Sequence, residues 1–103
     1  MEFYTLNFVI EESYKDAEGD FITQNYVRGA FTSLSKAIDG VMRIIEGKAD
    51  IDNLDKVKEI FIMKYNADCI SSGVGVMGWL EHNGVFWKYF EQKDGKFVTY
   101  QRG

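Results

Sequence analysis

Proline is absent from this chain of 103 residues, and cysteine and histidine occur once each, as Cys69 and His82. With no proline to mark a linker, a chain of this length is expected to form one domain spanning residues 1–103. A lone cysteine cannot close an intramolecular disulfide, which disfavours the disulfide-stapled secreted class and points to a reducing, cytoplasmic compartment. One cysteine with one histidine also falls short of the about four ligands that a zinc site needs. No run of about eighteen apolar residues occurs, and the opening Met1-Glu2-Phe3 has no basic region, so neither a membrane span nor an export signal is expected.

Positive charge is also sparse. Lysine and arginine number 12 against 16 acids, a net charge of −4. From Glu81 onward Lys88, Lys93, Lys96 and Arg102 only just outnumber Glu81, Glu91 and Asp94, too little for a nucleic-acid-binding stripe. The acids gather elsewhere: Glu11, Glu12, Asp16, Glu18 and Asp20 face Lys15 alone within one decapeptide. Such a run is a solvated loop or a patch for a basic partner.

What is abundant is apolar and aromatic content, 46% and 16%, enough for a packed interior without cross-links. Tyr4, Leu6, Phe8 and Ile10 alternate with Thr5, Asn7, Val9 and Glu11, the period of a strand with one buried face. Ser13 to Asp20 reads as a polar loop, and Phe21 to Phe31 as a second strand returning in a hairpin, with Gly29 bending or ending it, as at a bulge or a break. Thr32 or Ser33 can cap a helix whose stripe is Leu34, Ile38, Val41 and Ile45, flanked by Ala37, Met42 and Ile44, and Gly47 can stop it. Lys48 to Lys58 is a polar connection with room for a short helical turn at Asp52 or Asn53. Val57 to Tyr65 carries Ile60, Phe61, Ile62 and Met63 in succession, the pattern of a central strand covered on both faces.

Asn83-Gly84 and Asp94-Gly95 divide the final aromatic segment into a three-stranded meander, because both residues of a type I′ turn need positive φ. The expected fold is α+β: a single, mostly antiparallel sheet in the order β-β-α-β-β-β-β with one principal helix on one face. Two-residue turns also fix the register. Leu80 falls opposite Trp87 and that residue opposite Arg102; Gly78 falls opposite Tyr89 and then Tyr100. On the other face Trp79 meets Lys88 and Gln101, Met77 meets Phe90 and Thr99, and Phe86 meets Glu81.

Both faces are aromatic, and one helix covers only one. The set Val76, Leu80, Val85, Trp87, Tyr89, Val98 and Tyr100 has the aliphatic content of a core and is expected inward. The set Met77, Trp79, Phe86, Phe90 and Phe97, mixed with Lys88, is expected outward as a partner surface, unless the first hairpin folds over it. A one-residue bulge exchanges the two faces.

Motifs of chemistry are weak. Gly73-Val74-Gly75-Val76-Met77-Gly78 fits G-x-G-x-x-G, but a strand-like run and a turn follow it rather than a helix, so no cofactor is expected; Gly78 instead lets the Tyr89 ring lie over bare backbone. Asp50, Asp52, Asn53 and Asp55 miss the calcium-loop pattern, whose final glutamate position is occupied by Phe61. Cys69 and His82 form a thiol–imidazole pair only if the fold brings them together; otherwise Cys69 is a small buried hydrophobe and His82 an exposed turn residue. The reading that follows is a non-catalytic protein-interaction module. It would be an inhibitor or adaptor of the kind mobile elements encode, binding a basic nucleic-acid-handling protein through Met77, Trp79, Phe86, Lys88, Phe90 and Phe97 together with Glu11, Glu12, Asp16, Glu18 and Asp20. The alternatives are a small-molecule-binding domain and a Cys/His enzyme, and a second copy can add to the C-terminal edge strand, Lys96 to Arg102.

Overall fold

The computed structural model describes residues 1–47, 54–67, 73–90, 92–93, 96–97 and 100–102, with Ser13, Phe90 and the last three stretches given as backbone alone. The elements run β1 (Glu2–Lys15), β2 (Phe21–Phe31), α1 (Leu34–Ile45), a 3₁₀ turn (Leu54–Lys56), β3 (Val57–Asn66), β4 (Val74–His82), β5 (Val85–Phe90), β6 (Gln92–Lys93), β7 (Lys96–Phe97) and β8 (Tyr100–Arg102). Six strands form one sheet in the order β2-β1-β3-β4-β5-β8, and β6 pairs with β7. Every pairing is antiparallel, so the fold is α+β. Strands β2 and β3 flank β1 and therefore run parallel, and α1 is the crossover between them.

The helix forms where its caps and stripe coincide. Ser33 is the N-cap, its Oγ accepting from the Lys36 N–H at 3.3 Å, and Gly47 at φ +75° ends the last turn. Ala37, Val41 and Ile44 are its buried residues, while Leu34, Ile38 and Ile45 are half-buried at the margin of the contact. The stripe is thus centred slightly to one side of the expected one, on Ala37, Val41 and Ile44. Beneath it lie Leu6, Phe8 and Ile10 of β1, Val57, Ile60 and Ile62 of β3, and Trp79 of β4.

Register carries this core face across the sheet. Phe8 is opposite Ile60, Ile60 opposite Trp79, Trp79 opposite Lys88, and Lys88 opposite Gln101. The hairpin register expected from the Asn-Gly turn is observed, with Asn83 at φ 54° and Gly84 at φ 79°. The pairs Trp87 to Arg102 and Tyr89 to Tyr100 are observed as well. Asp94-Gly95 and the expected partners Val98 and Thr99 lie outside the described residues.

Three expectations need correction. The face expected outward is the covered one: Trp79 is 0% exposed, Met77 and Phe86 pack against the core cluster, and Lys88 is half-buried on the same side. The face expected inward is open, with Trp87 38% exposed and Leu80 and Val85 half-buried. The two faces of the meander are nearly equal in apolar content, so composition could not choose between them; the pairing of β4 with β3 and β1, whose own alternation is decisive, makes the choice. Val76 escapes the reversal, because a register shift between the Ile62–Met77 and Met63–Gly75 pairs leaves it packed against the core.

Second, the polar segment after Glu12 is strand as far as Lys15, and only Asp16–Asp20 turns. A ribbon with both faces wet selects polar side chains just as a loop does. Third, α1 is the one helix longer than a turn among the described residues, so β3 is central and, among those residues, has a helix on one side alone. Phe61 and Met63 face the open side, half-buried. Of the outcomes open at Gly29, the bulge is the one observed, and the strand continues past it: its φ is +94°, and the β1/β2 register shifts between Thr5 and Asn7.

Candidate functional site

The open face is built in two rows. One runs Asn7, Phe61, Gly78, Tyr89; the other runs Val9, Glu59, Leu80, Trp87. At Gly78 an added Cβ would collide with the Tyr89 hydroxyl oxygen and ring. The hydroxyl end of the Tyr89 ring therefore lies over bare backbone, as its cross-strand position implied. Its hydroxyl donates to the Glu59 carboxylate, and the residue is 7% exposed although no helix among the described residues covers it. On the β1 side Asn7 Nδ2 donates to Thr5 O at 3.2 Å, Thr5 Oγ1 at 3.0 Å and Phe61 O at 3.4 Å. These contacts leave the polar side chains of Asn7, Glu59 and Tyr89 partnered at the centre of the face.

Trp87 stands apart from that mat. With Leu80, Glu81 and His82 it lines a shallow depression of about 450 Å³ at the end of the β4–β5 hairpin. His82 is exposed beside the turn, as expected. Around the hairpin end, Glu81 accepts from the Gly84 N–H at 2.8 Å and pairs with Lys58 at 3.5 Å. The Gly84 hydrogen bond, helped by the Lys58 charge against partial desolvation, holds the Glu81 carboxyl below its ordinary pKa. A separate cleft of about 460 Å³ opens beside it, between the end of α1, the 3₁₀ turn and the hairpin, lined by Ile45, Leu54, Val57 and Phe86 with Asp55 and Glu81.

The acidic residues sit on a projecting ribbon. Beyond Ile10, which pairs with Val57, β1 pairs with β2 alone among the described residues, so Glu11–Lys15 and the facing part of β2 extend past the sheet. At ~3.3 Å per residue that arm is about 16 Å long. Asp16 organises its turn: Oδ1 accepts from the Glu18 N–H at 2.9 Å and the Asp20 N–H at 3.0 Å, and Gly19 takes φ +90°. Lys15 Nζ sits 4.9 Å from the Phe21 ring centre. Glu11 and Glu12 are half-buried, and Asp16, Glu18 and Asp20 are exposed, as are Tyr14 at 54% and Phe21 at 47%. Because β1 and β4 run the same way, the acidic turn and the Trp87 hairpin share one end of the sheet, with β1 and β5 about 15 Å apart.

Of the residues expected to bind a partner, the five acids are thus collected on one arm, while Met77, Trp79, Phe86 and Lys88 lie on the helix side. Phe90 pairs with Met77 and Phe97 with Gln92 through their backbones; their side chains lie outside the described residues. Trp87 and Leu80 were assigned to the core by composition, and the signal that would have exposed them is the β3–β4 register, which no local motif encodes. Cys69 lies outside the described residues, as do Asp50, Asp52 and Asn53. Among the described residues no group of three or more His, Cys, Asp and Glu is placed to hold a metal, and no helix is long and apolar enough to cross a membrane. No family model, curated protein or solved structure matches this chain.

Proposed function

We propose that this protein is a non-catalytic binding module, an inhibitor or adaptor in kind, that recognises a basic protein partner at the hairpin end of its open sheet face. The observation that carries the reading is Trp87. A large amphipathic ring stands 38% exposed beside Leu80 on the side of the sheet opposite the helix. Tryptophan in such a setting is among the residues that most often dominate a protein–protein interface. The acidic ribbon at the same end supplies the charge that steers a basic surface toward it.

The test is affinity capture with Trp87→Ala plus Leu80→Ala, and separately with Glu18→Lys, each checked for native folding by circular dichroism. The apolar pair is expected to abolish capture, and the charge reversal to weaken it in a salt-dependent way. A folded Trp87/Leu80 variant that retains every partner overturns the assignment of the face; an acidic partner overturns the role of the ribbon.

The cleft at Ile45, Leu54 and Phe86 favours a second reading, a small-molecule site, since about 460 Å³ falls in the range of ligand pockets. A metabolite-dependent rise in melting temperature, lost in Phe86→Ala but kept in Trp87→Ala, would establish that reading in place of the first.

A further inference from the structure

The sheet ends in two edges of unlike character. One is β8, Tyr100–Arg102, three residues long; the other is β2, Phe21–Phe31, eleven residues long. Long edges are ordinarily blunted by proline, by charges or by cover, because their unpaired N–H and C=O groups template another strand. From Phe21 to Val27 strand β2 carries no charge and no proline, and Arg28 is the single charge of the whole strand. It also bears two of the chain's well exposed large apolar side chains, Val27 at 63% and Phe21 at 47%. Its bulge at Gly29 comes only after this stretch.

We propose that β2 is the seat of a homodimer, two copies pairing antiparallel about a two-fold axis through Gln24. The axis is chosen by the sequence of the strand. With Gln24 on it, Thr23 falls opposite Asn25 of the second copy, Ile22 opposite its Tyr26, Phe21 opposite its Val27, and Asp20 opposite its Arg28. Polar residues meet polar, apolar meet apolar, and each acid meets a base, twice over by symmetry. An axis one residue later sets Ile22 against Arg28 and Phe21 against Gly29. One residue earlier sets Asp20 against Tyr26 and Phe21 against Asn25. The self-complementarity of a single register is what identifies the occupant as a second copy rather than an unrelated strand.

Alternation supports the same arrangement. Phe21, Thr23, Asn25 and Val27 are exposed, while Ile22, Gln24 and Tyr26 are half-buried toward the helix side. A two-fold normal to the sheet keeps each set on its own face, so the two helices stay on one side and both open faces on the other. The dimer therefore joins two sheets edge to edge, and it leaves both Trp87 depressions accessible. Asp20 is the one acid of the ribbon that the pairing shares with the partner-binding reading. The two stand or fall separately, because the dimer is read by mass, by crosslinking at Gln24 and through Arg28, and both residues lie away from Trp87.

The experiment is sedimentation equilibrium across a wide concentration range, with register-specific crosslinking in a Cys69→Ser background. The wild-type mass is expected to rise from the 11.9 kDa of one chain toward twice that value. Asp20→Arg and Arg28→Asp are each expected to raise the dimer dissociation constant about tenfold, and the double exchange to restore it. Gln24→Cys is expected to form a disulfide dimer under mild oxidation, with Asn25→Cys much slower. A chain that stays monomeric at every concentration overturns the proposal. So does a dimer indifferent to both charge reversals, or one that crosslinks through the β8 edge instead.

Discussion

Trp79 and Trp87 stand on neighbouring strands, separated by one hairpin, and meet opposite fates. Trp79 is 0% exposed in the centre of the core cluster, while Trp87 is 38% exposed at the rim of a shallow depression. The difference is one of face, not of residue type or of local sequence. It separates the side of the sheet that carries the helix from the side on which Trp87 is exposed.

The largest effect that tests this contrast is expected at Trp79. Trp79→Ala should cost about 3–5 kcal/mol in urea unfolding, the range for emptying a buried aromatic site. Its indole Nε1 has no hydrogen-bond partner among the described residues. Trp79→Phe should accordingly cost clearly less, since it removes a buried unpaired donor along with volume. Equal losses in the two variants would contradict that account.

Gly78 comes next. Any side chain there must displace the Tyr89 ring, and Gly78→Val should destabilise by about 1–3 kcal/mol. Tyr89→Ala in the same background should recover part of the loss, a coupling that a double-mutant cycle reads directly. Additive effects would mean that the ring does not rest on the glycine.

Trp87→Ala should cost about 1 kcal/mol, well below the loss at Trp79, since part of its ring is covered and the rest is already in water. A loss comparable to that of Trp79→Ala would show that the open face is core after all, and it would remove the basis for a partner surface there.

The smallest effect concerns pH. Glu81 has its carboxyl pKa lowered on folding, chiefly by the Gly84 N–H, so the unfolded chain holds the proton more tightly. Its contribution is present above the ordinary carboxylate value of 4.5 and is lost as pH falls through that value toward the folded one. Glu81→Gln should therefore be less stable than wild type at pH 7, with the gap closing toward pH 3. A gap that is constant with pH would assign Glu81 a packing role alone.

Much of this architecture was legible because it is local. The Asn83-Gly84 turn set the β4–β5 register, Ser33 and Gly47 bounded the helix, Gly29 marked a bulge, and Phe21–Phe31 is the second strand as read. Even the stacking of Tyr89 on Gly78 followed from a hairpin count. The limits of β1 were misread at Ser13 to Lys15, because a projecting two-stranded ribbon is solvated on both sides and its polar residues mimic a loop.

The sequence by itself determined the elements, the hairpin pairing and the membership of two aromatic faces, since turns, caps and alternation act over a few residues. Only the tertiary structure decided which face is buried. That choice rests on Phe8 pairing with Ile60 and Ile60 with Trp79, contacts between segments far apart in the chain. Two faces of similar apolar content carry no local preference strong enough to anticipate it. The helix crossing from β2 to β3 covers the side on which Leu6, Phe8 and Ile10 already point, and this leaves Trp87 on the side it does not cover.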